Sequence, residues 1–283
     1  MKKVCEICGN CVKTTSILLP YADNLKTKKM YLMFECCGYI KQADFLSKNE
    51  ISNLYTSEYS CFRKSNINNI VNNLLISLRV NKYIKLINNK DILEIGCGMG
   101  DFLLSAAKKS PKSIEGVEIS NYASNNISKT NRNIKISNCD IESFISNKKF
   151  DSIFMFHSIE HVKDPVHLIA RCSKMLKQGG CLVLETPNLF SWDRLIFKDK
   201  WFNYSVPHHT YIFSKKSLSE IGKNNSFVTL NTRDIRFPNT LTSQFANCPK
   251  LAYVMIWPIY IFEHFISSIF RSSSILSIVL QKQ

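Results

Sequence analysis

The feature that most constrains this chain is a turn of three glycines between two short apolar strands. Residues 91–118 read as a strand, the turn, a helix and a second strand that ends at Glu118. This order is typical of one half of a nucleotide-binding α/β unit. A carboxylate at the tip of the second strand can accept hydrogen bonds from both hydroxyls of a ribose. The three glycines are Gly96, Gly98 and Gly100.

The spacing of these glycines argues against a bound dinucleotide. The fingerprint G-x-G-x-x-G requires its last glycine at position 101 or 103, where this chain has Asp101 and Leu103. A turn of the form Glu94-x-Gly-x-Gly-x-Gly instead lets a ligand without a pyrophosphate lie against bare backbone, since glycine has no Cβ. An α/β domain without any cofactor is the alternative interpretation.

Three downstream segments extend the pattern in the order expected of a larger sheet. Asn138-Cys139-Asp140 follows a third strand at 133–137, and residues 150–156 read as a fourth strand. Residues 176–185 read as an L-K-x-G-G turn that leads into a fifth strand. With these segments and the glycine turn, the chain resembles the class I S-adenosylmethionine-dependent methyltransferases. The resemblance implies a doubly wound α/β fold with a seven-stranded, mostly parallel sheet whose last strand is antiparallel.

The same resemblance implies S-adenosylmethionine as the cofactor and assigns residues to it. The glycines of the turn would hold the methionine part, Glu118 the ribose and Asp140 the adenine edge, with Glu94 at the start of the turn in the same site. Tyr59 precedes a helix predicted at 67–86 and would close over the cofactor, as tyrosines do in the resembled family. Packing of Tyr59 on the surface is the alternative.

The N-terminal residues carry a cysteine pattern typical of a metal knuckle. Cys5 and Cys8 have the C-x-x-C spacing, and the adjacent Cys36 and Cys37 could supply the other two thiolates of a structural zinc site. Because adjacent cysteines depart from C-x-x-C, Cys11 is an alternative ligand, and a ribbon without metal is an alternative state. The pattern resembles the small zinc ribbon that precedes many methyltransferases of this type. Four thiolates close the coordination sphere, which implies a role in folding or substrate contact rather than in catalysis.

These features divide the chain into three parts. We predict a zinc-ribbon-like module at 1–46, a linker and N-terminal helix at 47–90, and the methyltransferase domain at 91–283, with a hydrophobic helical insertion at about 239–271. Within the insertion, residues 251–270 carry almost no charge, yet their uninterrupted apolar run is too short for a transmembrane helix. We expect this segment to cap the substrate site, to form a dimer face or to rest on a membrane surface. The sequence does not determine the oligomeric state.

The turn after the fourth strand gathers ionisable residues where open α/β folds bind their substrates. These residues are His157, Glu160 and His161. His161, oriented by Glu160, could act as a general base, or the three residues could bind a divalent metal that lowers the pKa of an acceptor hydroxyl. Quinone-pathway O-methyltransferases, which this region resembles, carry E-x-x-E-H here and use a metal. A histidine at position 157 argues against magnesium, which prefers oxygen ligands.

Two polar signatures further along the chain indicate the acceptor. Residues 185–188 and 207–214 resemble the T-P-N and P-x-H-x-Y-x-F-S signatures of methyltransferases from glycan and surface-polysaccharide biosynthesis, which implies that His209 and Tyr211 lie on the acceptor side. The resemblance therefore implies a small-molecule acceptor such as a hydroxyl or carbon of a sugar, glycan or lipid-linked precursor. The alternatives are a quinone-type phenol and, from another class, a non-catalytic zinc-ribbon binding protein with a vestigial cofactor fold. Aromatic residues at 190–205 suit either a sugar face or an ordinary lid.

Charge and cysteine content bound the partners and the compartment. The net charge of +15, from 37 basic and 22 acidic residues, favours anionic partners, acidic lipid among them. No run of five basic residues occurs, so the sequence carries no strong nucleic-acid signal. Eleven scattered cysteines, with no apolar run after Lys2 and Lys3, predict a cytoplasmic protein that could associate peripherally with a membrane.

Overall fold

A computed structural model of the protein describes residues 2–21, 27–45, 68–235 and 272–283, together with 258, 261–262, 265–267 and 269. The strands in chain order are β1 (Lys2–Val4), β2 (Cys11–Lys13), β3 (Thr15–Pro20), β4 (Lys28–Phe34), β5 (Tyr39–Gln42), β6 (Asp91–Ile95), β7 (Ser113–Glu118), β8 (Lys135–Asn138), β9 (Phe150–Phe156), β10 (Leu176–Pro187), β11 (Tyr211–Ile212), β12 (Phe227–Ile235) and β13 (Ile275–Lys282). The helices are α1 (Asn68–Lys82), α2 (Asp101–Ala106), α3 (Asn121–Thr130), α4 (Pro165–Met175), α5 (Trp192–Phe197) and α6 (Lys215–Asn224).

The central sheet has seven strands in the order β12-β13-β10-β9-β6-β7-β8. The strands β6 to β10 run parallel to their neighbours in this group. The strand β13 pairs antiparallel with both β10 and β12. The order reverses between β6 and β9, so the carboxyl ends of these two strands border a crevice. This topology confirms the predicted doubly wound sheet with an antiparallel last strand.

Both faces of the central strands β6 and β9 are buried, because their residues alternate between two apolar cores. Leu93 and Ile95 of β6 belong to one core, which α4 and α6 cover, whereas Ile92 belongs to the other. The second core is covered by α1, α2 and α3 through residues such as Val80 and Ile127. Burial on both sides explains why β6 and β9 read as nearly continuous apolar runs.

Two of the helices that follow strands, α3 and α4, begin at short polar side chains. The Ser120 hydroxyl accepts a hydrogen bond from the backbone N–H of Ala123 at the start of α3. The carboxylate of Asp164 accepts from the N–H of His167 at the start of α4. Such caps satisfy donors that a helix leaves unpaired, and they fix where each helix leaves the sheet edge.

A second sheet joins the N-terminal residues to the rest of the chain. Its order is β11-β5-β4-β3, so β11, which precedes α6, pairs with the N-terminal strand β5. The ring of Tyr211 in β11 stacks between the rings of Tyr39 and Phe213, at centroid distances of 6.2 and 5.4 Å. The predicted boundary at residue 46 therefore separates segments that share one sheet and one apolar core.

Several details differ from the predicted elements. The L-K-x-G-G segment lies inside β10, where a register shift separates Leu176 from Cys181, and Lys177 bonds Asp91 and Asp151 at 2.8 and 2.7 Å. Tyr59 and most of the insertion predicted at 239–271 lie outside the described residues. Within the described part of the chain, no helix combines the length and apolar character that a bilayer crossing requires.

Candidate functional site

The glycine turn lies between β6 and α2, and all three of its glycines have positive φ. The φ angles are +73°, +53° and +76° for Gly96, Gly98 and Gly100. A Cβ on Gly96 would lie 2.4 Å from the Ser158 hydroxyl, and one on Gly100 would lie 2.6 Å from Ile127 Cγ1. A Cβ on Gly98 would meet no heavy atom within 4 Å. Two glycines are thus required by packing within the protein, whereas Gly98 borders open space.

The carboxylate of Glu118 is bonded to the same turn. Its Oε2 accepts from the backbone N–H of Gly98 and its Oε1 from that of Ser120, both at 2.8 Å. Each oxygen keeps further acceptor capacity. Glu118, the residue predicted to bind the ribose, is therefore held in place by hydrogen bonds from the backbone of Gly98 and Ser120.

Asp140 lies on the neighbouring strand end, since Glu118 of β7 pairs with Asn138 of β8. Its Oδ1 accepts from the N–H of Glu142 at 2.8 Å, which shapes the loop that follows β8. Asp140 and Glu118, the residues predicted on the adenine and ribose sides, thus lie at or just after the carboxyl ends of neighbouring strands.

Glu94 is buried at the end of β6. Burial raises the pKa of its carboxyl well above the ordinary value, while the positive charge of Arg79 acts in the opposite direction. Arg79 of α1 also lies with its Nε 2.8 Å from Glu185 Oε2, and its guanidinium lies 4.7 Å from the Phe156 ring centroid. The pairing of Arg79 with Glu185 was not predicted, because nothing in the sequence shows which turn of α1 faces the end of β10.

The predicted acceptor turn begins directly after β9. His157 has a φ of +52°, and its N–H donates to the Glu185 carbonyl at 2.8 Å. Its ring is 42% exposed, with Nδ1 3.4 Å from Oε1 of the fully buried Glu160. The other Glu160 oxygen accepts from the Thr186 hydroxyl at 2.9 Å. Burial alone would raise the pKa of Glu160, but the contact with His157 and the positive charges that His161 and His209 acquire only at acid pH outweigh burial and lower it to about 2.

Two histidines from different segments meet beside Glu160. The rings of His161 and His209 contact edge to face at a centroid distance of 4.8 Å. His209 Nδ1 lies 2.7 Å from the Asn203 carbonyl. Because a carbonyl only accepts, Nδ1 carries the proton, and Nε2 of the neutral ring holds the lone pair. Burial lowers the pKa of His209 to about 3 and also lowers that of His161, so both rings are neutral near pH 7.

The ligand atoms of Glu160, His161 and His209 all lie within 4.8 Å of one another. The predicted metal set had His157 in the place that His209 takes here. Two nitrogens and one carboxylate suit zinc or another transition metal better than magnesium. The cluster can therefore either take up a proton or hold such a cation.

Tyr211 has a different surrounding from the one that we predicted. Its ring is buried in the stack with Tyr39 and Phe213, and its hydroxyl donates to the Lys163 carbonyl at 3.2 Å. Burial raises the pKa of this hydroxyl above its usual range. The side chain thus packs β11 against the acceptor turn and holds its backbone.

The N-terminal cysteines form a compact cluster. The sulfurs of Cys5, Cys8, Cys36 and Cys37 all lie within 4.8 Å of one another. The pair Cys5 and Cys37 is 3.7 Å apart, and the pair Cys8 and Cys36 is 3.8 Å apart. Four sulfurs placed tetrahedrally around a zinc at about 2.3 Å are themselves about 3.8 Å apart, so the cluster fits this ion. The side chain of Cys11, the alternative ligand, lies outside the described part of the chain.

Adjacent cysteines can share this cluster because of the turn that carries them. Cys36 and Cys37 lie in the tight turn between β4 and β5, which ends at Gly38 with a φ of +69°. The left-handed glycine reverses the chain immediately after the second cysteine. Cys36 and Cys37 can therefore both reach the cluster, although they lack the C-x-x-C spacing.

Comparisons with known proteins agree with this geometry. A protein-family model described as a methyltransferase domain matches residues 71–231. A ubiquinone biosynthesis O-methyltransferase of Coxiella burnetii is 33% identical over 115 residues, which are 38% of this chain and 49% of that protein. A tRNA U34 carboxymethyltransferase of Nautilia profundicola is 28% identical over 130 residues, covering 41% of this chain and 43% of that protein. The chain thus spans about half the length of these relatives.

Solved structures share the fold at low sequence identity. The magnesium protoporphyrin IX methyltransferase of Synechocystis PCC 6803, solved with bound S-adenosylhomocysteine, has a TM-score of 0.56 at 10% identity, over 84% of this chain and all 100% of that one. Coclaurine N-methyltransferase, bound to N-methylheliamine and S-adenosylhomocysteine, has a TM-score of 0.54 at 17% identity, over 74% of this chain and 72% of that one. At these identities the similarity concerns the fold alone.

Proposed function

Because this chain belongs to the methyltransferase domain family, we propose that it transfers a methyl group from S-adenosylmethionine to a small acceptor. The observation that carries the proposal is the open space beside Gly98, where a Cβ would meet no heavy atom within 4 Å. The same glycine donates its N–H to Glu118. A bare backbone next to a buried strand-tip carboxylate suits the ribose and methionine parts of an adenosyl ligand.

The residues of this site fit the proposed cofactor, which when bound supplies a methyl group on a positively charged sulfur. Glu118 would accept from the ribose hydroxyls with the lone pairs that the backbone leaves available. Asp140, on the next strand end, would lie toward the adenine. The buried carboxyl of Glu94 and the backbone of the turn would line the methionine part.

His209 is the residue that we propose as proton acceptor. Methyl transfer requires alignment of the acceptor and, for a hydroxyl, removal of its proton. The hydrogen bond from Nδ1 to the Asn203 carbonyl leaves the lone pair on Nε2. Glu160 stays ionised and lies in the same cluster, so it would stabilise the imidazolium that forms. His161, in edge-to-face contact with His209, would orient the ring.

A divalent metal held by Glu160, His161 and His209 is the second candidate for acceptor activation, and the shared position of their ligand atoms supports it. Such an ion would lower the pKa of an acceptor hydroxyl. One measurement distinguishes the two roles. Metal analysis of the purified protein is expected to find one ion per chain, at the four cysteines, if His209 acts as a base, and two ions per chain if Glu160, His161 and His209 also hold one.

For the acceptor, we propose a phenolic hydroxyl as the first class to test and a sugar hydroxyl or carbon as the second. The relative from Coxiella burnetii supports the phenol. The aromatic segment that suggested a sugar face is used in part within the protein, although Phe190 and Phe202 are exposed. Trp192 and Trp201 are buried, and their indole N–H groups donate to Ser267 and Asp193 at 3.0 and 2.8 Å. Membrane contact through 251–270, which would suit a lipid-linked acceptor, stays a prediction because most of that segment lies outside the described residues.

We further propose that the cysteine cluster holds one structural zinc. The sulfur distances of 3.7 and 3.8 Å support this assignment. Four thiolates leave no open coordination position, so the ion would stabilise the turn between β4 and β5 without taking part in catalysis.

Calorimetric titration of S-adenosylhomocysteine tests the cofactor, and transfer of a labelled methyl group to a panel of catechols, nucleotide sugars and lipid-linked sugars tests the acceptor. We expect micromolar binding and labelling of one class in the panel. A well-folded protein that binds no S-adenosylhomocysteine would contradict the proposal and favour the non-catalytic alternative.

A further inference from the structure

The N-terminal hairpin reaches the segment that carries His209. Tyr31 of β4 and Gln42 of β5 are paired across the hairpin, and both side chains are buried. The Tyr31 hydroxyl donates to the His209 carbonyl at 2.6 Å. The Gln42 amide donates to the same carbonyl at 3.1 Å and to the Pro207 carbonyl at 2.8 Å. Two buried side chains from the first 42 residues of the chain thus hold the backbone of His209.

The ring of His209 is held from the opposite side. Its Nδ1 bonds the Asn203 carbonyl at 2.7 Å, and its backbone N–H donates to the Ser205 carbonyl at 3.2 Å. The backbone N–H and the ring therefore depend on residues close in sequence, whereas the carbonyl depends on the N-terminal hairpin. The position of Nε2 follows from both sets of contacts together.

The same hairpin also reaches the backbone of the acceptor turn. The Gln42 backbone N–H donates to the Thr210 carbonyl at 2.9 Å, and the Thr210 N–H donates to the Glu160 carbonyl at 2.7 Å. The Thr210 hydroxyl donates to the His161 carbonyl at 3.3 Å. One continuous path of hydrogen bonds thus runs from Gln42 through Thr210 to the cluster of Glu160, His161 and His209.

We propose that Tyr31 and Gln42 are positioning residues that hold the His209 backbone so that its ring stays against the Asn203 carbonyl, the contact that fixes its tautomer, an inference that rests on the proposed function. The hairpin that carries them is closed at its other end by the turn with Cys36 and Cys37. The N-terminal module therefore contributes to the proposed active site through hydrogen bonds to the backbone of His209. Displacement of a catalytic group by a fraction of an ångström is enough to slow a reaction whose atoms must be aligned.

The test compares Tyr31→Phe and Gln42→Leu with Tyr39→Phe as the matched control. Tyr39 is a buried tyrosine of the same hairpin, but its hydroxyl lies 3.6 Å from the Cys5 sulfur rather than beside His209. Nitrogen NMR of the histidine rings identifies the tautomer of His209 and needs no acceptor. We expect the wild type and the control to show one tautomer with the proton on Nδ1, and Tyr31→Phe and Gln42→Leu to show a mixture.

Turnover gives the second measurement, with the acceptor identified by the labelling panel. Tyr31→Phe and Gln42→Leu should lower kcat by about tenfold while KM for S-adenosylmethionine changes by less than about twofold. Unchanged ring signals and kcat in both variants would overturn the inference, as would an equal loss of kcat in Tyr39→Phe. Melting curves identify a variant that has lost its fold, and Tyr31→Phe, which removes a single oxygen, is the mildest of the set. Failure of S-adenosylhomocysteine to bind the wild type would contradict the proposed function. The NMR comparison would still test whether Tyr31 and Gln42 position the His209 ring, because it needs neither cofactor nor acceptor.

Discussion

Replacing Gly98 by alanine separates the binding role of the glycine turn from its folding role. Gly98 has a φ of +53°, and a Cβ there would meet no heavy atom within 4 Å. The substitution therefore introduces no clash within the protein. It does place a methyl group in the space that we assign to the cofactor.

We expect the free energy of unfolding to fall by about 1–2 kcal/mol, because alanine is disfavoured in the left-handed region. For a chain of this size each kcal/mol lowers Tm by about 2–4 °C, so we expect Tm to fall by roughly 2–8 °C. The expected loss of binding is larger, because the cofactor must move away from the backbone against which it lies. We expect S-adenosylhomocysteine to bind at least about 100-fold more weakly, which corresponds to about 2.7 kcal/mol.

Gly179 provides the matched control for this prediction. It has a φ of +73°, and a Cβ there would also meet no heavy atom within 4 Å. It lies near the start of β10, at the sheet edge opposite the glycine turn. Gly179→Ala should lose a similar amount of stability and bind S-adenosylhomocysteine as the wild type does. Scanning calorimetry and titration calorimetry on the three proteins give both quantities. Wild-type affinity in Gly98→Ala, or an equal loss of affinity in both variants, would refute the placement of the cofactor beside this turn.

Three further predictions test other parts of the site. Cys37→Ser should lower the zinc content from about one ion per chain to none, as measured by metal analysis; an unchanged content would show that this sulfur is not a ligand. Glu118→Gln would place an amide N–H₂ against one of the two backbone N–H groups that now donate to the carboxylate. The affinity for S-adenosylhomocysteine should therefore fall by at least about tenfold in calorimetric titration. Equal affinity would show that Glu118 does not bind the ribose. Because the pKa of His209 is lowered from 6.5 to about 3 on folding, the unfolded chain binds more protons between these values, and the free energy of unfolding should decline as pH falls through this window. Urea melts at several pH values should show that the free energy of unfolding declines less steeply in His209→Gln than in the wild type. The two slopes should differ by at most about 1.4 kcal/mol per pH unit. Equal slopes in the two proteins would contradict the burial of a neutral ring.

The geometry of the glycine turn and the place of Glu118 beside it were predictable from the sequence, because they depend on short-range backbone geometry. The turn from Gly96 to Gly100 must adopt left-handed φ angles, and only glycine does so at little cost. Glu118 stands at the end of the next strand, and a parallel strand order places that end beside the turn. Both signals are contained within 28 consecutive residues, 91–118.

The acceptor side was predictable in part. The sequence places His157, Glu160 and His161 at the correct edge of the sheet, because they directly follow β9. It does not show that His209 replaces His157 in the cluster with Glu160, or that Tyr211 is used in packing. These outcomes depend on the pairing of β11 with β5, which joins segments that lie far apart in the sequence.

The sequence by itself therefore determined the fold class, the glycine turn with its acidic partner and the C-x-x-C spacing of Cys5 and Cys8. Only the tertiary structure decided that adjacent Cys36 and Cys37 reach the same cluster, and that Tyr31 and Gln42 hold the backbone of His209. The physical reason is the separation along the chain of the residues that interact. Apolar periodicity and glycine spacing report the local backbone and which face of an element is buried. The approach of side chains from distant segments is set by how whole elements pack, which no local pattern encodes.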